Sequence, residues 1–191
     1  SKNSLSKIAL VFALIFSAFT LQSFVSSDNV KLKNSSIEWK GEKVVGSHEG
    51  TIDLKSSELI FKNNTLKGGS FVIDMTTIAC TDLTGEYKGK LEGHLKSDDF
   101  FSVSSFPTSK LVITKASKSS KDSYKVSAKL TVKGITKNID FVAQIKGNIL
   151  SATILVDRTL FNVKYGSGSF FENLGDNMIY DDFEIKVNLE I

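Results

Sequence analysis

An alternation of apolar and polar residues, repeated along most of the chain after residue 29, constrains the fold more than any other feature. A period of two places every second side chain on the same face of a β-strand, so each alternating segment predicts a strand with one buried face. The alternating rows run over residues 30–32, 37–39, 52–54, 59–61, 71–75, 111–113, 124–132, 139–145, 150–156 and 183–191. The sequence therefore predicts an all-β domain of eight or more strands.

Short turn signals separate several of these rows. They are Asn63-Asn64, Gly68-Gly69, Lys133-Gly134 and Gly147-Asn148. Residues that tolerate a positive φ close two-residue hairpins, which join strands that are neighbours in sequence. Such hairpins favour a closed up-and-down barrel over a two-sheet sandwich, because closure also removes exposed strand edges. Eight strands enclose either packed side chains or one small ligand, and the strand pattern does not choose between these.

One stretch, residues 76–106, breaks the strand pattern. Within it Leu83, Tyr87, Leu91 and Leu95 are spaced four apart, with glycines between them. This spacing predicts a short helix, weakened because each interior glycine costs about 1 kcal/mol relative to alanine. We expect a helical segment around residues 82–105 that acts as a lid over a cavity, with a purely structural plug of the barrel end as the alternative.

The first residues resemble an export signal. Lys2 and Lys7 precede nine unbroken apolar residues at 8–16, and small polar residues follow, ending at Val25-Ser26-Ser27. A spanning helix needs about 20 mostly apolar residues, so this pattern favours a cleaved secretory signal over a membrane anchor. We predict a signal peptide over residues 1–27, one domain over 28–191, a periplasmic or secreted location, and no stable membrane span after cleavage.

Composition excludes several classes of protein. A net charge of +3 with 24% charged residues provides neither a polybasic nucleic-acid arm nor an acidic tail, so we expect no nucleic-acid partner. The single cysteine, Cys80, excludes an internal disulfide scaffold. Of the 24 basic residues only Arg158 is arginine, the residue preferred where a cation is partly buried.

The sequence also lacks the motifs of common enzymes. His48 and His94 are its two histidines, and there is no HExxH, CxxC or GxSxG motif and no phosphate-binding glycine loop. A lone histidine in such a chain is more often a hydrogen-bonding structural residue than a catalyst. We therefore predict a protein that is not an enzyme and that uses no metal or cofactor.

Five segments together resemble one known family. They are residues 46–52 (GSHEGTI), 71–78 (FVIDMTTI), 91–107 (LEGHLKSDDFFSVSSFP), 130–137 (LTVKGITK) and 157–161 (DRTLF). Their order and spacing are similar to those of the YceI family over about residues 30–191. The segment 165–171 (YGSGSFF) resembles the branch found in Bacteroidetes-type bacteria.

The resemblance implies an extended lipocalin-like, eight-stranded antiparallel barrel whose apolar cavity holds a long-chain amphiphile in an exported protein. The expected ligand is a polyisoprenoid, an isoprenoid quinone or a fatty-acid derivative, which is bound or transported without catalysis. Burying a hydrocarbon chain gains about 0.8 kcal/mol per CH₂ group, so an apolar tube suffices for tight binding. The alternative is a filled barrel that serves as a structural or protein-interaction module.

Alternation along each strand selects the candidates that face the barrel interior. They are Phe71, Ile73, Met75, Leu111, Ile113, Val126, Leu130, Phe141, Ile154, Val156, Phe183, Ile185 and Val187. All of them would equally suit a solid core. We expect Phe100, Phe101 and Phe106 to cap the mouth and His94 to make a polar contact at the lid.

Arg158 has the parity of the inward residues on its strand, so it is predicted to point inward near the strand end. An inward charge must be paired or hydrogen-bonded. We expect it to meet either the polar head of a ligand or a structural carboxylate such as Asp74, Asp98 or Asp99. Dimerisation stays open, since outward residues such as Val72, Val112 and Leu155 suit an interface or scattered surface positions equally.

Overall fold

The computed structural model describes residues 27–191, which form nine β-strands and one α-helix. The predicted signal peptide lies outside the described residues, except for its last predicted residue. The strands are β1 Asp28–Val30, β2 Asn34–Lys43, β3 Ser47–Lys62, β4 Thr65–Cys80, β5 Thr108–Lys118, β6 Ser123–Val132, β7 Ile135–Lys146, β8 Ile149–Asp157 and β9 Ile179–Glu190. Helix α1 spans Gly85–Lys96, and short 3-10 turns span Arg158–Phe161 and Gly175–Asn177.

Strands β2 to β9 form a closed antiparallel barrel. Each strand pairs with its neighbour in sequence, and β9 pairs with β2 to close the ring, for example at Ile37 and Val187. The additional strand β1 pairs with the end of β3 around Leu59–Phe61. The predicted eight-stranded antiparallel barrel is thereby confirmed, and the short strand β1 is added to it.

Two of the predicted hairpin turns have the expected backbone. Asn63 and Asn64 have φ values of 50° and 56°, and Lys133 and Gly134 have 49° and 72°. The prediction of a turn at Gly68-Gly69 is wrong, because both glycines lie inside β4. A Cβ atom at Gly69 would sit 2.7 Å from the Glu58 carbonyl oxygen, so this glycine permits close approach of β3 rather than a reversal of the chain.

The barrel has two distinct ends. The helical end carries α1, the β2–β3 and β6–β7 turns, and the long β8–β9 connection over residues 158–178. The opposite end carries the β3–β4, β5–β6 and β7–β8 turns. Buried apolar side chains of the inward parity fill three clusters along the interior, one of which, around Ile37, Met75 and Leu95, lies at the helical end.

Helix α1 covers the helical end through its last turn. Leu95 is buried, and Leu91 packs against the same cluster. Two members of the predicted stripe do not join them, since Leu83 precedes the helix and Tyr87 is 74% exposed. Only the C-terminal part of the helix touches the barrel, so a stripe along its full length has nothing to pack against. Ser97 ends the helix, with its hydroxyl donating to the His94 carbonyl at 2.7 Å.

No helix within residues 27–191 is long and apolar enough to span a membrane.

Candidate functional site

The candidate site is an internal cavity of about 220 Å³ inside the barrel. Its wall is almost entirely apolar, because the inward parity of every barrel strand supplies aliphatic or aromatic side chains. The lining includes polar side chains from Ser109 and, at the helical end, from Arg158. Such a wall offers hydrocarbon contacts along its length and few hydrogen bonds.

Sixteen of the eighteen residues predicted from the sequence border this cavity. They are Phe71, Ile73, Met75, Phe100, Phe101, Leu111, Ile113, Val126, Leu130, Phe141, Ile154, Val156, Arg158, Phe183, Ile185 and Val187. Their contact with a ligand stays a prediction. His94 and Phe106 lie outside the lining.

The lining contains further residues that the sequence analysis did not select. Alternation alone could have found most of them, since they belong to the alternating rows of the strands: Ile37, Trp39, Ile52, Leu54, Val132, Ile139, Ala143, Leu150, Ala152 and Leu189. Ser109 also has the parity of Leu111, but a serine does not continue an apolar row, so the apolar pattern did not identify it. Ile78, Leu95, Ile179 and Tyr180 lie beyond the predicted rows, and only the closed fold brings them to the cavity.

His94 contacts the connection at residues 158–178 instead of the cavity. Its ring packs edge-on against Phe100 and Tyr165, with centroid separations of 5.0 and 4.5 Å. Its Nε2 atom lies 3.2 Å from Asp99 Oδ2. The histidine therefore joins α1, the loop that follows it and the β8–β9 connection, which is a structural contact at the lid.

Phe106 packs on the β6–β7 turn. The nearest atom of its ring would lie 3.1 Å from a Cβ atom placed on Gly134. A side chain at Gly134 would therefore press on the Phe106 ring, and the positive φ of this residue also favours glycine. Phe106 caps this turn and not the cavity mouth.

Arg158 is inward, as its parity predicted, and only 4% exposed. Its guanidinium donates three hydrogen bonds to backbone carbonyls: Nε to Tyr180 at 3.0 Å, Nη1 to Val163 at 2.8 Å and Nη2 to Ile179 at 3.0 Å. The arginine thus ties the β8–β9 connection to the start of β9. Guanidinium has five N–H donors, so one on Nη1 and one on Nη2 are left after these three bonds.

The carboxylate partner of Arg158 is Asp181, whose Oδ1 lies 3.8 Å from Nη2. The prediction of Asp74, Asp98 or Asp99 is wrong: Asp74 accepts from Thr76, and Asp99 faces His94. Asp181 has the inward parity of Phe183 on β9, which could have identified it. The predicted row began two residues later, because an aspartate does not extend an apolar pattern.

Asp181 is the acidic group that faces Arg158 at the polar end of the cavity. Burial alone would raise the pKa of its carboxyl, but hydrogen bonds from the Ser167 and Ser169 hydroxyls and the charge of Arg158 outweigh burial and lower it. Burial lowers the pKa of Arg158, while Asp181 and Asp157 counteract that effect. The polar end of the cavity therefore holds a compensated ion pair, in which the Asp181 Oδ1 atom is buried and has no hydrogen-bond partner among residues 27–191.

The barrel wall beside this ion pair contains a stretch where β7 and β8 do not pair, which we call the β7–β8 seam. Within the described chain, β7 pairs with β8 only over residues 143–146 and 149–152. Toward the helical end the two strands separate, and the Phe161 side chain, 1% exposed, fills the space with Val132, Ile154 and Val156. The Lys133 Nζ donates to the Asn162 carbonyl at 3.3 Å across the end of the seam. A side chain, and not a ladder of hydrogen bonds, seals this part of the wall.

A second polar cluster lies outside the cavity, where β3 and β4 meet the start of the lid. The Cys80 Sγ donates to Asp82 Oδ1 at 3.0 Å, and His48 Nδ1 lies 2.8 Å from Asp82 Oδ2. The aspartate stands between thiol and imidazole, so the histidine cannot activate the thiol as a base. Burial, followed by the hydrogen bond to Asp82, raises the pKa of the Cys80 thiol, which disfavours the nucleophilic thiolate.

Asp82 therefore has a structural role: it holds together the groups that contact it, and we call it a structural clamp. The low pKa of its carboxyl makes this role testable through the pH dependence of stability. Burial alone would raise its pKa, but hydrogen bonds from Cys80, His48 and the Glu49 amide lower it to about 2. A carboxyl whose pKa is lower in the folded than in the unfolded state stabilises the fold at pH values above its unfolded pKa of about 4. This stabilisation is lost as the pH falls through about 2. Asp82→Asn should lower the free energy of unfolding at pH 7 by about 1–2 kcal/mol, allowing for solvent screening.

The measurement is urea unfolding of both proteins at pH 7 and pH 3. The difference between wild type and Asp82→Asn should shrink as the pH falls, since the wild-type carboxylate loses its advantage. Asp98→Asn is the matched control, because Asp98 is an exposed aspartate of the same lid segment. A difference that stays constant from pH 7 to pH 3 would contradict the clamp.

Comparison with known proteins adds the family. The family model described as a YceI-like domain matches residues 29–191. A search of curated proteins gave no match.

Solved structures with the same fold come from several bacteria. BcnA of Burkholderia cenocepacia is 19% identical with a TM-score of 0.65, and the match covers 81% of this chain and 94% of that one. A polyisoprenoid-binding domain of Saccharophagus degradans is 12% identical with a TM-score of 0.58, covering 86% and 97%. The YceI protein of Campylobacter jejuni is 18% identical with a TM-score of 0.52, covering 100% and 91%. At these identities the similarity establishes the fold.

Proposed function

The chain belongs to the YceI-like domain family, and from that premise we propose that it binds one long-chain amphiphilic lipid in its barrel. The ligand class is a polyisoprenoid, an isoprenoid quinone or a fatty-acid derivative, which is sequestered or transported without a catalytic step. The observation that carries the proposal is the apolar cavity with Arg158 at one end. One structural relative supports the proposal, because the domain of Saccharophagus degradans is described as polyisoprenoid-binding.

The apolar wall of the cavity suits the hydrocarbon chain of such a ligand, and the polar end of the cavity suits its head group. Each buried CH₂ group contributes about 0.8 kcal/mol, so the apolar wall supplies most of the affinity without polar contacts. The unused N–H donors of Arg158 offer a hydrogen bond to a polar head group at the helical end. Asp181 already compensates the charge, so the head group need not be anionic.

The size of the cavity limits what it holds in this conformation. At about 220 Å³ it is smaller than the roughly 300–1,000 Å³ typical of small-molecule pockets. A short alkyl chain fits, whereas a long isoprenoid requires the lid or the β7–β8 seam to move outward. The proposal places the protein outside the cytoplasm, where a lipid carrier has an aqueous space to bridge.

Mass spectrometry of an organic extract tests this function. The protein is produced with export in a bacterial host and purified without detergent. A stoichiometric long-chain lipid is the expected result. No lipid in the extract, together with no uptake of added polyprenol by the delipidated protein, would leave a filled-barrel interaction module instead.

A cavity-blocking variant tests the location of the ligand. Ala152 on β8 lines the cavity, so Ala152→Phe should occupy the volume of about three or four CH₂ groups and weaken lipid binding about a hundredfold. Overpacking should cost about 1–3 kcal/mol of stability, which urea unfolding measures separately. Leu155→Phe is the matched control on the same strand, because Leu155 is exposed on the outer face. Equal binding by wild type and Ala152→Phe would show that the lipid lies elsewhere.

A further inference from the structure

Exposed apolar side chains concentrate beside the polar end of the cavity. Of twelve large hydrophobic residues exposed within residues 27–191, seven lie on the β2–β3 turn, the β8–β9 connection and the start of β9. We call six of these seven, all except Leu160, the apolar rim: Val44, Val45, Tyr165, Phe170, Phe171 and Tyr180. Contiguous exposed patches of this kind mark interaction surfaces, whereas scattered exposed residues do not.

Backbone hydrogen bonds bring the segments of the rim together. The Val44 amide donates to the Met178 carbonyl at 3.1 Å, which joins the β2–β3 turn to the connection. The Phe170 and Phe171 amides donate to the Ser167 carbonyl at 3.2 and 3.0 Å. Ser167 in turn forms a bridge with Ile179, directly after Met178. The rim is therefore one surface held at defined positions.

The rim is continuous with the cavity. Tyr180 is 46% exposed and also borders the cavity, and its carbonyl accepts a hydrogen bond from Arg158 Nε. The exposed apolar surface thus meets the interior at the residue that holds the polar end of the site. A partner that covers the rim would lie over that end of the cavity.

The chemistry of the rim favours a lipid surface as its partner. The connection at residues 158–178 contains two basic and two acidic residues, so its charges cancel and offer no steering toward a highly charged protein or nucleic acid. Tyrosine and phenylalanine side chains suit the boundary between acyl chains and head groups. Lys164 Nζ lies 4.5 Å from the centroid of the Phe170 ring, where a long cationic side chain can reach head groups while the ring is buried.

We propose that the apolar rim docks on the surface of a lipid bilayer, with Phe170 and Phe171 entering the interfacial region. The choice of this partner rests on the proposed function, because a lipid ligand resides in a bilayer before and after it occupies the barrel. Docking at the rim lets the ligand pass between bilayer and cavity without crossing water.

Co-sedimentation with lipid vesicles tests the docking. Exported protein, with its N-terminus determined by intact mass, is mixed with vesicles of phosphatidylcholine, alone or with phosphatidylglycerol. We expect Phe170→Ser/Phe171→Ser to reduce the bound fraction about tenfold or more, since each buried phenyl ring contributes at least that order of affinity. Raising the salt from low to high concentration should change binding less than twofold, because the basic and acidic residues of the connection at residues 158–178 are equal in number.

The matched control is Val142→Ser/Ile149→Ser, which removes two exposed hydrophobic residues away from the rim. It should bind vesicles as the wild type does. Absence of wild-type binding, equal losses in both double variants, or loss of a dimer in Phe170→Ser/Phe171→Ser by sedimentation velocity would each overturn the docking. Lipid extraction and polyprenol uptake are measured on the same protein preparation before vesicles are added: bound lipid without vesicle binding overturns the docking alone, and vesicle binding with neither bound lipid nor polyprenol uptake overturns the proposed function alone.

Discussion

Arg158→Met is expected to lower the free energy of unfolding by about 3–5 kcal/mol, the cost of removing one partner from a buried ion pair. The variant leaves the carbonyl oxygens of Val163, Ile179 and Tyr180 without their donor. It also leaves the Asp181 carboxylate without its cation. Urea unfolding at pH 7, followed by tryptophan fluorescence, measures the loss.

Two further variants separate the parts of this effect. Arg158→Lys keeps the charge but cannot reach three carbonyls with a planar fork, so it should recover only part of the stability. Asp181→Asn combined with Arg158→Met should cost less than the sum of the single changes, because the unpaired charge is then absent. A loss below about 1 kcal/mol in Arg158→Met would contradict the structural role of the three hydrogen bonds.

Phe161→Ala is expected to cost about 3–5 kcal/mol, which is typical of a phenylalanine removed from a core. Phe161 is 1% exposed and fills the seam where β7 and β8 do not pair. The 3-10 turn that carries Phe161 contacts β7, and Phe161 belongs to one apolar cluster with Ile154 and Val156 of β8. The opened seam should also speed the release of bound lipid, measured by transfer to acceptor vesicles.

Leu160→Ala is the matched control for this prediction. Leu160 belongs to the same 3-10 turn but is 50% exposed, so its loss should change the free energy of unfolding by less than about 0.5 kcal/mol. Equal effects of the two variants would show that the turn itself, and not the Phe161 side chain, supports the wall. Unchanged lipid release in Phe161→Ala would show that the seam is not a route for the ligand.

Much of the site was predictable because a barrel converts sequence parity directly into position. Phe71, Val126 and Ile185 face the cavity because each belongs to an inward row, and the same rule brought Arg158 inside. The apolar pattern ends where a polar residue interrupts a row, as at Ser109 and Asp181, although both residues keep the inward parity. The turn prediction fails at one pair of glycines: Gly68-Gly69 has the composition of a turn, but these residues serve the close contact of two strands.

Side chains outside the strands were harder to place. Phe106 was expected to cap the cavity mouth but packs on the β6–β7 turn, and His94, expected to make a polar contact at the lid, also packs on the β8–β9 connection, whose path the local sequence does not specify. The contacts of Tyr165 with His94 join residues that are 71 positions apart in the sequence. Local spacing carries no information about such pairs.

The sequence by itself determined the strands and their inward faces and favoured the closed antiparallel order, because the period of two and the hairpin turns are local properties of the chain. Only the tertiary structure decided which carboxylate pairs with Arg158, where the wall opens between β7 and β8, and which exposed residues gather into the apolar rim. These features depend on how long connections pack against a completed barrel. Their energies arise from contacts between distant residues, which exist only once the barrel has closed.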